Sequence, residues 1–166
     1  NNTIFLIFFR RVKQMIRKES EDVLNMLLVK LFNDILKIEG AAIKQGEFSD
    51  LSVTETHIIE AIGKDREMTM TEVANDLEIT VGTLTTAINR LIKKEYVERR
   101  RIEEDRRVVL IKLTSKGEKA FDSHAQFHDD MIKSIIKELP ESEEAVLIAS
   151  LKKMTNFFEE KYNLHK

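Results

Sequence analysis

The sequence predicts a mainly α-helical fold: a winged helix-turn-helix flanked by long helices that form a dimerisation domain. Three observations predict it. One proline and five glycines in 166 residues leave few points at which a helix is broken, since these residues carry the largest helix penalties. Leu84, Ala87, Ile88, Leu91 and Ile92 recur at steps of three and four, drawing one apolar stripe. Beyond that helix, Val97–Arg101 and Arg107–Leu113 read as two short strands. The turn between them is acidic and then basic, and it puts Arg106 near the tip of a hairpin. A helix with a small polar face, followed by a hairpin with arginine at its tip, has the shape of a winged helix-turn-helix reading DNA.

Taken in order, residues 1–18 are expected to be an N-terminal extension. Ile4, Phe5, Leu6, Ile7, Phe8 and Phe9 make an apolar run too short for a membrane span, and Arg10, Arg11 and Lys13 follow it where a signal peptide would place charges first. Residues 1–14 are therefore expected to be non-native or an upstream extension, with an extra helical stretch packed on a partner subunit as the competing reading. Residues 19–45 read as a long helix within a dimerisation segment, 19–47. Val23, Leu24, Leu27, Leu28, Leu31, Phe32, Ile35, Leu36 and Ile38 exceed what one buried face needs, which points to subunit contact.

The DNA-binding domain is expected over 48–113. Gly46 and Glu47–Leu51 break the chain. Ser52 and Glu55 fit a capping box for a helix carrying Ile58, Ile59, Ala61 and Ile62 and ending at Gly63. Thr69 and Glu72 fit a second box, opening a short helix with Val73, Ala74 and Leu77; Thr80 is placed to cap the recognition helix. Helix, tight turn and helix thus run from Glu72 to Lys94. Residues 114–166 complete the dimerisation helices. One starts at Thr114-Ser115-Lys116-Gly117-Glu118 and ends at Pro140; the last spans about Ser142 to Tyr162, with Leu147, Leu151, Met154, Phe157 and Phe158 on one face.

Charge is distributed unevenly. The chain carries a net −2, yet residues 80–112 hold nine cations against five anions. An acidic body with a basic patch is an electrostatic footprint for a polyanion. Zero cysteines exclude a disulfide framework, a Cys-ligated metal and a thiol sensor. No Gly-rich phosphate loop, nucleophile elbow or carboxylate pair in an apolar setting is present, so no enzyme is expected. A winged module used only against another protein would not need the arginines kept here. With no signal peptide or span recognised, a cytoplasmic protein without membrane contact is expected.

The order of elements, the Asp105-Arg106-Arg107 wing turn and the Leu113-Thr114-Ser115-Lys116-Gly117 exit resemble the MarR family of bacterial regulators over about residues 19–163. Within it the chain is most similar to the fatty-acid-synthesis repressors of Firmicutes. Four runs carry that likeness: residues 56–64, 79–86, 104–109 and 124–128. The resemblance implies a homodimer, a palindromic double-stranded operator, and a repressor whose corepressor is a long acyl chain borne on acyl-carrier protein. Residues 1–14 have no counterpart in the pattern.

Candidate site residues follow from side-chain chemistry. Thr80, Thr83, Thr85, Thr86 and Asn89 lie on or beside the polar face of the recognition helix. Asn suits adenine, and threonine methyls suit the thymine methyl. Arg90 and Lys93 are placed to hold phosphates. Arg99 and Arg107 extend the basic surface, and Arg106 would reach a narrow minor groove. Asp105 is expected to hold an arginine in place. No cofactor is expected. For the acyl effector, Leu28, Leu31, Phe32 and Ile35 on the first long helix, with Phe127 and Met131 on the fifth, are candidates for a tunnel lining. An effector of another small apolar kind fits the same set. Phe121, Phe127, Phe157 and Phe158 otherwise read as core or dimer interface. His124 and His128 stand at i, i+4, a spacing that can bind zinc. Because the family includes zinc sensors, a zinc-responsive repressor is the alternative, with His57 and Glu39 as further candidate ligands that nothing in the sequence brings together.

Overall fold

The computed structural model describes residues 2–101 and 109–163, with side chains from residue 13 onward. Nine elements follow in order: α1 (Asn2–Gln45), α2 (Val53–Ile62), β1 (Met68–Thr69), α3 (Met70–Asp76), α4 (Val81–Lys93), β2 (Val97–Arg101), β3 (Val109–Leu113), α5 (Ser115–Lys137) and α6 (Glu141–Tyr162). The fold is mainly helical, with a winged helix-turn-helix between long helices. The three strands form one antiparallel sheet in the order β1-β3-β2, with Val97 opposite Leu113 and Met68 opposite Ile111.

Local signals set the helix starts. Ser52 Oγ accepts from the Glu55 amide at 3.2 Å, and the Glu55 carboxylate accepts from the Ser52 amide at 2.9 Å. Thr69 and Glu72 repeat that exchange at 3.2 and 2.7 Å. Thr80 Oγ1 accepts from the Thr83 amide, and Thr114 Oγ1 from the Gly117 amide. Each box satisfies amides at the start of a helix that have no partner within it.

Two boundaries and one element differ from the sequence reading. α1 runs unbroken from Asn2, so residue 19 marks no structural break; the first glycine is Gly40 and the only proline is Pro140, and nothing earlier interrupts a helix. α6 begins at Glu141 with Pro140 at its N-cap, where a fixed φ and a missing amide are harmless. β1 was not expected. Two residues carry no period that sequence can show, and Met68–Thr69 become a strand only because β3 offers them an edge.

The core lies in the winged module. Ile58, Ile59, Ile62, Val73, Leu84, Ile88, Leu91, Tyr96, Val97, Ile111 and Leu113 are buried together. α5 seals one end through Gly117, where an added Cβ would lie 2.1 Å from the Tyr96 carbonyl oxygen. Tyr96 is held from the other side by a 2.6 Å hydrogen bond to Asp50. The long helices are different: α6 buries none of its residues, and Leu24, Leu27, Leu31, Phe32, Leu36, Leu151 and Phe157 stand half or more exposed in the single chain. No helix among the described residues is long and apolar enough to cross a membrane.

Candidate nucleic-acid interface

The polar face of α4 is built by its own apolar stripe. Burying Leu84, Ala87, Ile88 and Leu91 in the core turns Thr83, Thr85, Thr86, Asn89, Arg90 and Lys93 outward, and all six are exposed. The threonine hydroxyls are engaged locally. Thr85 Oγ1 donates to the Val81 carbonyl at 2.7 Å, Thr86 Oγ1 to Gly82 at 3.4 Å, and Thr83 Oγ1 lies 2.9 Å from Thr80 Oγ1. With the Thr85 and Thr86 protons used by the helix, these side chains offer methyl groups and acceptor lone pairs to a partner. Methyls facing a groove suit the thymine methyl.

Asn89 and Arg99 form a unit that sequence reading did not foresee. Arg99 Nη1 donates to Asn89 Oδ1 at 3.3 Å, joining β2 to α4. Arg90, Lys93 and Arg101 have no ion-pair partner among the described residues. Other cations of this stretch are tied into the fold. Lys94 Nζ donates to both Glu55 oxygens at 3.0 and 2.8 Å and to the Asp50 carbonyl; Arg100 holds Glu67 in a two-point contact; Lys112 pairs with Glu98 at 3.0 Å. Strand alternation explains the split: Arg99 and Arg101 point to one side of β2 and Arg100 to the other. Arg106, Arg107 and Asp105 lie outside the described residues.

These ties are electrostatically settled. Burial pushes the Glu55 carboxyl up, but hydrogen bonds from Lys94 and Ser52 outweigh it and hold the group below its ordinary value. Tyr96 lowers Asp50 in turn, while burial and that same hydrogen bond raise the phenol. The arginine contact keeps Glu67 low.

A domain pattern for the MarR family matches residues 51–109. FabT of Streptococcus pneumoniae, solved in complex with DNA, is 39% identical and superposes with a TM-score of 0.78 over 82% of this chain and 96% of that one. The chain belongs to the MarR family. Wild-type MarR from E. coli in its apo form is 25% identical, with a TM-score of 0.63 over 78% of this chain and 94% of its own. The regulator BilQ of Clostridium symbiosum is 33% identical over 96 residues, 56% of this chain and 65% of BilQ; the match to PchR of Bacillus subtilis spans 61% of that relative. The chain thus covers somewhat less than two thirds of these curated regulators and nearly all of FabT. As a member of this family it is a transcriptional regulator of the MarR type.

The remaining predicted residues are distributed differently. Of the six proposed to line an acyl tunnel, Leu31 and Phe32 are exposed, and Leu28, Ile35, Phe127 and Met131 are half-buried. Only Phe127 borders the small pocket between α1, α2 and α5, whose walls include Ala42, Ile43, Phe48, Leu51, Ala120 and His124. His124 and His128 do lie together, 3.1 Å apart at their Nε2 atoms, and the fold brings Glu39 and His57 to them. Burial, chiefly, and the neighbouring His128 lower the His124 pKa.

Proposed function

We propose that this protein is a homodimeric repressor of a palindromic operator, working in the cytoplasm on fatty-acid biosynthesis genes, with a long acyl chain on acyl-carrier protein as corepressor. The observation that carries the DNA part is the exposed α4 face, where Thr83, Thr85, Thr86 and Asn89 are flanked by Arg90, Lys93 and Arg99. The uncovered apolar surface of α1 and α6 supports the dimer, since a monomer would leave Leu24, Leu31, Phe32 and Phe157 in water. A two-fold dimer presents its recognition helices to half-sites about one helical turn, ~34 Å, apart. The fatty-acid assignment rests on the sequence resemblance and on the likeness to FabT over 82% of the chain.

The pocket beside Phe127 suggests how the acyl chain acts. At about 70 Å³ it holds a few methylenes. A longer chain must part α1 from α5, and it favours DNA binding only by preferring the DNA-competent spacing. Such a shift needs about 2–5 kcal/mol of differential affinity, which several methylenes at ~0.8 kcal/mol each supply. Fluorescence anisotropy on an operator duplex tests both parts. Affinity falling steeply with salt, and faster on random DNA, is expected for the DNA reading; tightening with acyl length is expected for the corepressor. A response indifferent to chain length ends the corepressor reading and leaves the DNA reading standing.

A further inference from the structure

Glycine is the residue a helix least favours after proline, because it gives up the most backbone freedom. Two glycines of this chain are required by the fold. Gly63 has a φ of 75°, and an added Cβ at Gly117 would lie 2.1 Å from the Tyr96 carbonyl oxygen. Gly82, in the first turn of α4, meets neither requirement. Its φ is not positive, and a Cβ built on it meets only Thr80 Oγ1, at an ordinary 3.8 Å. Alanine would fit the chain there and form the better helix.

The place of Gly82 on α4 supplies a reason outside the chain. Gly82, Thr86, Asn89 and Lys93 follow at steps of four, three and four, and all are exposed. This row lies opposite the buried stripe of Leu84, Ala87, Ile88 and Leu91, so it is the line of α4 that points furthest out. A helix about 10–12 Å across fills a major groove about 12 Å wide. The outermost row then lies nearest the base edges, and the first turn is where recognition helices touch them. A side chain at the start of that row would hold the helix off. Arg90 and Lys93 give the last turn of α4 positive charge, complementary to phosphate.

Val81 points to the same partner. The winged module from Leu51 to Leu113 exposes one large hydrophobic side chain among its described residues, and it is Val81, at 43%. Thr85 and Thr86 turn their hydroxyls back onto the Val81 and Gly82 carbonyls, so neither hydroxyl stands between this turn and a ligand. The apolar group on the major-groove edge of DNA is the thymine methyl.

We propose, resting on the DNA-binding reading of α4 above, that Gly82 and Val81 set the sequence specificity of the interface. Gly82 leaves the backbone bare, so that the first turn of α4 seats against base edges. Val81 packs its methyl groups on a thymine methyl. Neither residue hydrogen-bonds a base through its side chain; both act by shape.

The probe is a duplex enriched by the wild-type protein from a random-sequence pool, with a scrambled duplex of equal length beside it, both read by fluorescence anisotropy. Gly82→Ala should melt about 1–4 °C above wild type, since alanine fits the fold and loses less chain entropy. Its affinity for the enriched duplex should nevertheless fall about 5–100-fold, the span of one base contact, while that for the scrambled duplex stays nearly constant. For Val81, uracil replaces thymine one position at a time, which removes only the methyl group. At one position the exchange should weaken wild type and leave Val81→Ala unchanged. A Gly82→Ala protein that melts lower, or that loses affinity equally on both duplexes or on neither, overturns the role of Gly82. The absence of any thymine at which uracil separates wild type from Val81→Ala overturns that of Val81. A wild-type protein that enriches no duplex overturns the DNA reading itself, and both roles with it.

Discussion

Single side chains in this protein act through the pairs they form. Asn89 is the clearest instance. Its Oδ1 accepts from Arg99, so the amide is oriented before any DNA arrives, and base recognition by asparagine depends on orientation. Asn89→Ala is expected to cost about 1–3 kcal/mol on the true operator and little on random duplex; equal losses on both would remove Asn89 from base readout. Arg99→Ala should reproduce part of that specificity loss and also lower the salt slope, which a purely structural arginine would leave unchanged. Glu55 acts on stability. Its folded pKa lies below its ordinary value of 4.5, so the ionised group binds fewer protons folded than unfolded near that pH. Its contribution is full above about pH 4.5 and is lost as the pH falls through the folded value. Glu55→Gln should lower stability by about 2 kcal/mol at pH 7, and melting curves should show the gap to wild type closing in acid.

At the scale of elements, the helix starts were legible and the joints were not. Ser52-Glu55 and Thr69-Glu72 are contacts within four residues, so residue type and spacing suffice to find them. The α4 stripe was legible for the same reason. Gly117 reads in sequence as a residue near a helix start; the fold makes it the point where α5 crosses the Tyr96 carbonyl with no room for Cβ. Gly117→Ala is expected to destabilise by at least 1–3 kcal/mol, the usual range for overpacking, and to loosen the wing together with α5. Hydrogen exchange at β2 and β3 checks this: faster exchange confined to α5 would contradict the coupling. β1 and the Arg100–Glu67 contact belong with Gly117, because each depends on a partner distant along the chain.

For the whole molecule, the division of labour is between a core that closes within one chain and helices that do not. The buried hydrophobic cluster runs from Leu51 to Ala120, while α1 and α6 expose Leu24, Leu31, Phe32, Leu151 and Phe157. Removal of the residues after Leu139 should leave the winged module folded and the protein unable to dimerise, since the first helix loses its partner surface. Light scattering gives the answer directly, and a monodisperse dimer after truncation would relocate the interface. DNA affinity should fall with it, because two half-sites are then no longer bound as one event.

Sequence by itself determined the helices, their caps, the apolar stripe of α4 and hence the polar face opposite it. These are periodic or short-range features, and the chain's few glycines and single proline leave little freedom to do otherwise. It also determined the residue types on offer for DNA: methyls, one amide and several cations. Only the tertiary structure decided which cations remain available, because Lys94 and Arg100 were claimed by Glu55 and Glu67 from other elements. Only the structure decided that Leu31 and Phe32 stay in solvent in one chain while Phe127 meets a pocket. The same holds for Glu39 and His57. Their types were visible, yet their meeting with His124 and His128 depends on α1, α2 and α5 packing together, and packing between distant helices has no period along the chain to read.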